Sequence, residues 1–244
     1  MDTAQTKREA VLARLDAVTD PELDEPVTTL GFIRDIRIDD AGGVDVSFRL
    51  PTYWCSANFA FLMADDMRRE VGTLPWVRAV RPRLLDHLYA DAINDGVARG
   101  ASFKDVFGSE ITDETLDALR AKFLRKAFQR RQEAVLLALI DAGWPSSALV
   151  VLDLAGLEAV ALPATDWPAQ RRRYIEMRAR LASAPPAPHE PAFVTLEGVM
   201  LLPEGFDLHL QTLRSVRLNM EFNGAICRGL LAARESVPEL ARQF

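Results

Sequence analysis

The chain has 244 residues, 49% of them hydrophobic, enough for one large domain or two ordinary ones with a sizeable core. Its formal net charge of −6 and isoelectric point near 5.2 argue against nucleic acid as the main partner. No apolar run reaches the roughly 18 residues of a membrane span, residues Met1 to Lys7 lack the apolar core of a signal peptide, and two cysteines, Cys55 and Cys227, make no disulfide framework; a reducing cytoplasm is the simplest home.

In chain order, residues 6 to 17 read as a helix with Ala10, Val11, Leu15 and Val18 on one face. Asp20-Pro21-Glu22 breaks it, because a proline disfavours helical geometry in the residue before it. Asp24-Glu25-Pro26 extends this acidic loop, and ordinary turn chemistry accounts for Asp20 and Glu22 by themselves. Phe32, Ile33, Ile36 and Ile38 form a β-rich run entered through Leu30-Gly31, and Asp40-Ala41-Gly42-Gly43 is a turn. Val44, Val46, Phe48 and Leu50 then alternate with Asp45, Ser47 and Arg49, the period of a half-buried strand. The two runs predict a hairpin.

The next stretch organises the chain. Pro51-Thr52-Tyr53-Trp54-Cys55 ends the strand pattern, and Phe59, Leu62, Met63, Asp66 or Met67, and Val71 continue at helical steps. Ser56 is placed as an N-cap whose hydroxyl accepts a first-turn N–H. Cys55 falls just before the helix, where the positive end of the helix dipole favours a thiolate, the form that metal binding and sulfur chemistry need. The alternative is a small buried hydrophobe. Asp65 and Asp66 do not face each other on a helix and read as a solvated edge. After Leu74-Pro75-Trp76, Val77, Val80 and Leu84 suggest a third strand, giving the order α-β-β-α-β with a crossover helix. His87, just past that strand, reads as an exposed polar residue.

These landmarks carry a family resemblance. Asp20-Pro21-Glu22, Leu30-Gly31 opening a strand, Leu50-Pro51-Thr52 closing the next with Cys55 at a helix start, and Leu74-Pro75-Trp76-Val77 before the last strand resemble the SufT/PaaD-like iron–sulfur cluster assembly domain over roughly residues 6 to 90. The resemblance implies a small domain that helps metallocofactors reach client proteins, with Cys55 the reactive position and Asp20, Glu22 and Thr52 close to it. Trp54 and Ser56 beside the cysteine depart from the family's usual small residue and proline. On chemical grounds, one thiolate with oxygen donors from Asp20, Glu22 or Asp86 would hold iron weakly and with open positions. No C-x-x-C spacing exists, so a closed zinc site or a four-thiolate cluster within one chain is excluded. An iron or iron–sulfur cargo, held transiently, needs a second subunit as in a homodimer, small thiols or the client.

Residues 87 to 99 predict a helix and residues 102 to 108 a connection. A long helix from about Thr112 to Gly143 opens with Asp113 and Glu114 and carries Arg120, Lys122, Arg125, Lys126, Arg130 and Arg131, a solvated face or a dock for an acidic partner. Leu149 to Leu152 and Leu157 to Leu162 are apolar runs of either type. Pro168 to Ala182 is an amphipathic helix, Ser183 to Pro191 an extended linker or loop, and Phe206 to Arg234 a helical pattern interrupted at Asn223-Gly224, with Cys227 at a core position. The expectation is an α+β fold: an iron–sulfur assembly-like domain over residues 1–107, and a mainly helical client-specificity region over residues 108–244 with no recognised motif. The function expected is that of an accessory factor, not an enzyme, assisting metal or iron–sulfur insertion into a client metalloprotein, more narrowly a bacterial di-iron oxygenase, with Arg125, Lys126, Arg130 and Arg131 meeting the client. A folding or assembly adaptor without metal transfer is the second class. A thiol-dependent enzyme is the third, disfavoured because no general base is readable beside Cys55.

Overall fold

The computed structural model describes residues 3–108, 116–182 and 184–236. The helix start expected at Thr112, its Asp113 and Glu114, and Ser183 lie outside the described residues. The class is α+β, as expected, but the chain does not divide at 107/108. One compact unit takes in Met1–Arg120 and Asn223–Phe244; the other is Ala121–Phe222.

In the first unit, α1 (Thr3–Leu15) precedes two short paired strands, β1 (Thr19–Asp20) and β2 (Glu25–Pro26), a tiny hairpin where the sequence predicts a loop. β3 (Ile33–Ile38) pairs antiparallel with β4 (Gly43–Arg49), and β4 pairs parallel with β5 (Ala79–Leu85), the crossover being α2 (Ala57–Gly72). Gly42 in the β3–β4 turn has φ +87°, and a Cβ there would stand 2.5 Å from the Trp76 carbonyl oxygen, so both conformation and space demand glycine. The alternation in β4 has its physical cause in the core: Val44, Val46 and Phe48 are fully buried against Val11 and Leu15 of α1 and Phe61, Met63 and Met67 of α2. α3 (Ala90–Ala98) and α4 (Phe103–Phe107) follow. The stretch expected to be a mere connection is thus a short helix, closed by a reciprocal Ser102–Asp105 capping box. Asp65 and Asp66 are not a solvated edge: both accept from Arg120, at the start of α5 (Leu116–Asp141).

In the second unit, the two undecided apolar runs give α6 (Ser146–Leu149) and α7 (Leu154–Ala159), followed by α8 (Trp167–Leu181). The proline-rich stretch is a packed loop rather than a linker: Leu154 and Ala155 donate backbone bonds to Glu190 and Pro188. Gln132, fully buried, bridges N–H and C=O of Val194 and accepts from the Tyr174 hydroxyl, tying α5, α8 and residues 192–194 together. After a short 3-10 turn, Pro203–Gly205, comes α9 (Phe206–Ser236), continuous through Asn223-Gly224 where a break was expected. Leu231 of α9 is buried in the core of the first unit, which is why residues from Asn223 onward belong to that unit.

Candidate functional site

Where β4 ends, Leu50 turns into the core and Pro51 to Cys55 form an irregular loop before α2. Thr52 Oγ1 lies 3.1 Å from Cys55 Sγ. When the sulfur is ionised, the hydroxyl must be the donor, so Thr52 supplies a bond to a thiolate. Ser56 does not cap α2 as expected; its hydroxyl donates to Asn58 Oδ1, and that same oxygen accepts from the Phe59 N–H at 2.9 Å. The first-turn donor is met by an asparagine one step inside the helix.

His87, expected to be exposed, is buried and holds the loop. Its Nδ1 accepts from the Tyr89 N–H at 3.1 Å, which places the proton on Nε2, and Nε2 donates to the Cys55 carbonyl at 2.8 Å. Burial pushes the ring below its ordinary titration range, and the Cys55 carbonyl partly offsets this. His87 is therefore a neutral positioning residue with both nitrogens in use. Asp86, at φ +50°, pairs with Arg49 at 3.2 Å and Arg234 at 3.7 Å, so its carboxylate is already matched by cations.

The β1–β2 turn carries the other two residues expected at the site, Asp20 and Glu22. Asp20 Oδ1 accepts from the N–H groups of Glu22 and Leu23, both at 2.9 Å, which is the turn chemistry expected of it. Burial nevertheless raises its pKa to about 6, with the charges of Glu22 and Glu25 adding to the rise against those two bonds. Glu22 Oε1 accepts from Asn223 Nδ2 at 3.0 Å, and Glu25 pairs with Arg228 at 3.0 Å. Cys227 lies on the same stretch of α9, half-buried and packed on the same core as Cys55. Its thiol is pushed up to about 11, first by burial and then by the nearby charges of Asp20, Cys55 and Glu22. The helical pattern alone places Cys227 in the core and gives no sign of its neighbours. Its only signal is to be the second of two cysteines.

Cys55 thus meets Thr52 through its sulfur and His87 through its carbonyl, and Cys227 packs on the same core. Among the described residues, no group of three or more His, Cys, Asp or Glu side chains could hold a metal ion. Beside the cysteine, Tyr53 and Trp54 are 55% and 63% exposed and meet edge to face at 4.6 Å; Leu88, whose N–H bonds the Tyr53 carbonyl, is 63% exposed. These residues make an apolar lip. The basic residues expected to meet a client lie on α5 in the second unit. Arg125 is exposed, Lys126 lies over the Phe123 ring at 5.2 Å, and Arg131 donates to the Arg173 carbonyl.

Residues 8–81 match a family model described as iron-sulfur cluster assembly protein. The chain is 32% identical over 77 residues to a chloroplastic Fe-S cluster assembly factor of Arabidopsis thaliana, a match covering 32% of this chain and only 14% of that protein. It is 30% identical over 88 residues to an uncharacterized protein of Methanocaldococcus jannaschii, covering 36% of this chain and 90% of that one. It is 27% identical over 71 residues to the Fe-S protein maturation auxiliary factor YitW of Bacillus subtilis, covering 29% and 68%. No solved structure matches. No helix among the described residues is long and apolar enough to cross a membrane.

Proposed function

Because the chain belongs, through residues 8–81, to the iron–sulfur cluster assembly protein family, we propose that it is an accessory factor in iron–sulfur protein maturation. In this reading it presents iron or a cluster, as transient cargo, on Cys55 to a client metalloprotein. The carrying observation is the loop around Cys55: the sulfur is paired with the Thr52 hydroxyl and the backbone is pinned by His87. A cysteine sulfur held by a single hydroxyl suits reversible ligation better than covalent catalysis. The names of the Arabidopsis and Bacillus relatives support the same role.

The Tyr53–Trp54–Leu88 lip is where the client's apolar surface would dock, because large exposed apolar groups beside a reactive residue are the usual anchors of an interface. The second unit would choose the client, with Arg125, Lys126, Arg130 and Arg131 facing an acidic surface. Charge reversal at Arg125 and Lys126 should slow association with the client and flatten its salt dependence, read by stopped-flow binding at two ionic strengths. The narrower client class, a di-iron oxygenase, would be read by identifying what co-purifies with the tagged chain.

The decisive experiment is complementation. In a strain lacking the gene, the wild-type chain should restore iron–sulfur enzyme activity, and Cys55→Ser should not, at equal abundance and with an unchanged circular dichroism spectrum. Full restoration by Cys55→Ser would overturn metal transfer and leave the adaptor reading.

A further inference from the structure

The parallel ladder of β4 and β5 ends with Arg49 opposite Leu85, so Leu50 and Asp86 are the first residues past the sheet on the two strands. Backbone pairing stops there, and the Cys55 loop begins. One guanidinium continues the link. Arg234 of α9 donates from Nη1 to the Leu50 carbonyl at 2.8 Å and from Nη2 to the Asp86 carbonyl at 2.7 Å, clamping the two segments together. A guanidinium is a planar fork, so two of its nitrogens serve two carbonyls at once.

Asp86 is the pivot of this arrangement. Its φ of +50° lies in the left-handed region, uncommon for a residue with a side chain. Its carbonyl is held by Arg234, and its carboxylate lies 3.2 Å from Arg49 and 3.7 Å from Arg234. The turn made at Asp86 sets the course of the next two residues. His87 donates from Nε2 to the Cys55 carbonyl at 2.8 Å, and the Leu88 N–H donates to the Tyr53 carbonyl at 2.8 Å. Segment 86–88 thus carries the loop in which the Cys55 sulfur stands 3.1 Å from Thr52 Oγ1. We propose that Arg234 is a positioning residue for Cys55: by fixing Leu50 against Asp86, it holds the loop in the form that keeps the Thr52 hydroxyl on the sulfur. It acts through the backbone. Residue 234 lies outside residues 8–81, so a part of the chain beyond the family match completes the loop. The purpose of this positioning rests on the maturation role of Cys55; the positioning itself does not.

The test reads the hold of Thr52 on the sulfur. The full chain carries Cys227→Ser, so that Cys55 is its single thiol. Alkylation by iodoacetamide is timed with and without Thr52→Val. Losing the hydroxyl withdraws a donor from the thiolate and should slow alkylation by about 3- to 10-fold. In Arg234→Ala the loop is released, and the same Thr52 substitution should change the rate by less than about 2-fold, the two sites being coupled. Arg234→Lys is a second variant should the alanine chain lose its fold. It keeps the cation but has one nitrogen in place of the fork, so the Thr52 effect should shrink there too. Arg228→Ala is the control: it removes the 3.0 Å bond from α9 to Glu25 and leaves the clamp, so the full Thr52 effect should remain. Urea midpoints measured alongside establish which variants are folded during the assay. A full Thr52 effect in a folded Arg234 variant overturns the positioning, and so does the absence of any Thr52 effect beside an intact Arg234. Loss of the effect in Arg228→Ala overturns it as well, because Arg234 would then only help to fasten α9. Complementation with Cys55→Ser decides the maturation role separately.

Discussion

A carboxylate buried beside other carboxylates weighs against the fold whenever it is ionised, and Asp20 is such a group: 9% exposed, with Glu22 and Glu25 as its charged neighbours. Its folded pKa of about 6 lies above the ordinary 3.8, so the folded chain holds the proton more tightly than the unfolded one. The stability this confers is complete below pH 3.8 and is lost as pH rises through about 6. Asp20→Asn keeps the oxygen that accepts from Glu22 and Leu23 and cannot ionise. It should be more stable than wild type by about 2–3 kcal/mol at pH 8, at roughly 1.4 kcal/mol per pKa unit, with the difference gone by pH 4. His87, depressed by burial, works in the opposite sense: its contribution is present above the ordinary value and is lost as pH falls through its folded one. It is present in both chains and cancels in the comparison. Urea titrations at pH 4 and 8 decide, and equal midpoints at pH 8 would mean that the carboxylate is effectively solvated. The turn role of Asp20 was legible from Asp-Pro-Glu alone. Its burial was not, because α2, which packs on β1, comes far along the chain.

At the scale of elements, periodicity was a reliable guide where an element had one face to bury. β4 and α2 read directly from alternation and from three- and four-residue steps, because each lays a single apolar face on the same core. The runs that became α6 and α7 are too short to show a period. α9 departs from expectation at Asn223-Gly224, where local propensity predicts a break. A helical glycine costs only about 1 kcal/mol relative to alanine, and burial of Leu231, the Asn223–Glu22 bond and the Arg234 clamp outweigh it. The clamp is testable. Arg234→Ala removes charged donors from two carbonyls and should cost about 1–3 kcal/mol. The loss should be concentrated at the end of α9. Hydrogen exchange in residues 223–236 should quicken more than in β4, and alkylation of Cys227, slow in wild type because its thiol is pushed up to about 11, should speed up with it. Uniform quickening across the first unit would show that the arginine supports the whole core rather than fastening one helix.

For the whole molecule, the family match ends at residue 81, whereas the unit that contains it takes in residues up to Arg120 and again from Asn223. One sequence has no means of announcing that Glu22 meets Asn223, since helical period says which face is apolar but not which core it will cover. The boundary drawn at 107/108 follows the motifs and misses this return of the chain. A chain cut to residues 1–107 therefore separates the two ideas of the domain. The relative from Methanocaldococcus jannaschii, 90% of which is covered by an 88-residue match, argues that such a piece has most of what the family's fold requires. Yet the cut removes Leu231 and Leu116 from the core, deprives Asp65 and Asp66 of Arg120, and leaves Glu22, Glu25 and the Leu50 and Asp86 carbonyls without their α9 partners. Burial of one leucine is worth about 1.5–3 kcal/mol and each charged hydrogen bond about 1.5–3. The short chain should fold and be less stable than the full one by at least about 3 kcal/mol. Exchange of the β4 amides, which open with the whole unit, measures this within both chains without interference from the second unit. Cys55, freed of α9, should be alkylated faster in the short chain. Equal β4 protection and equal Cys55 reactivity would mean that α9 contributes nothing to this domain, and the site would then be the loop between β4 and α2 alone.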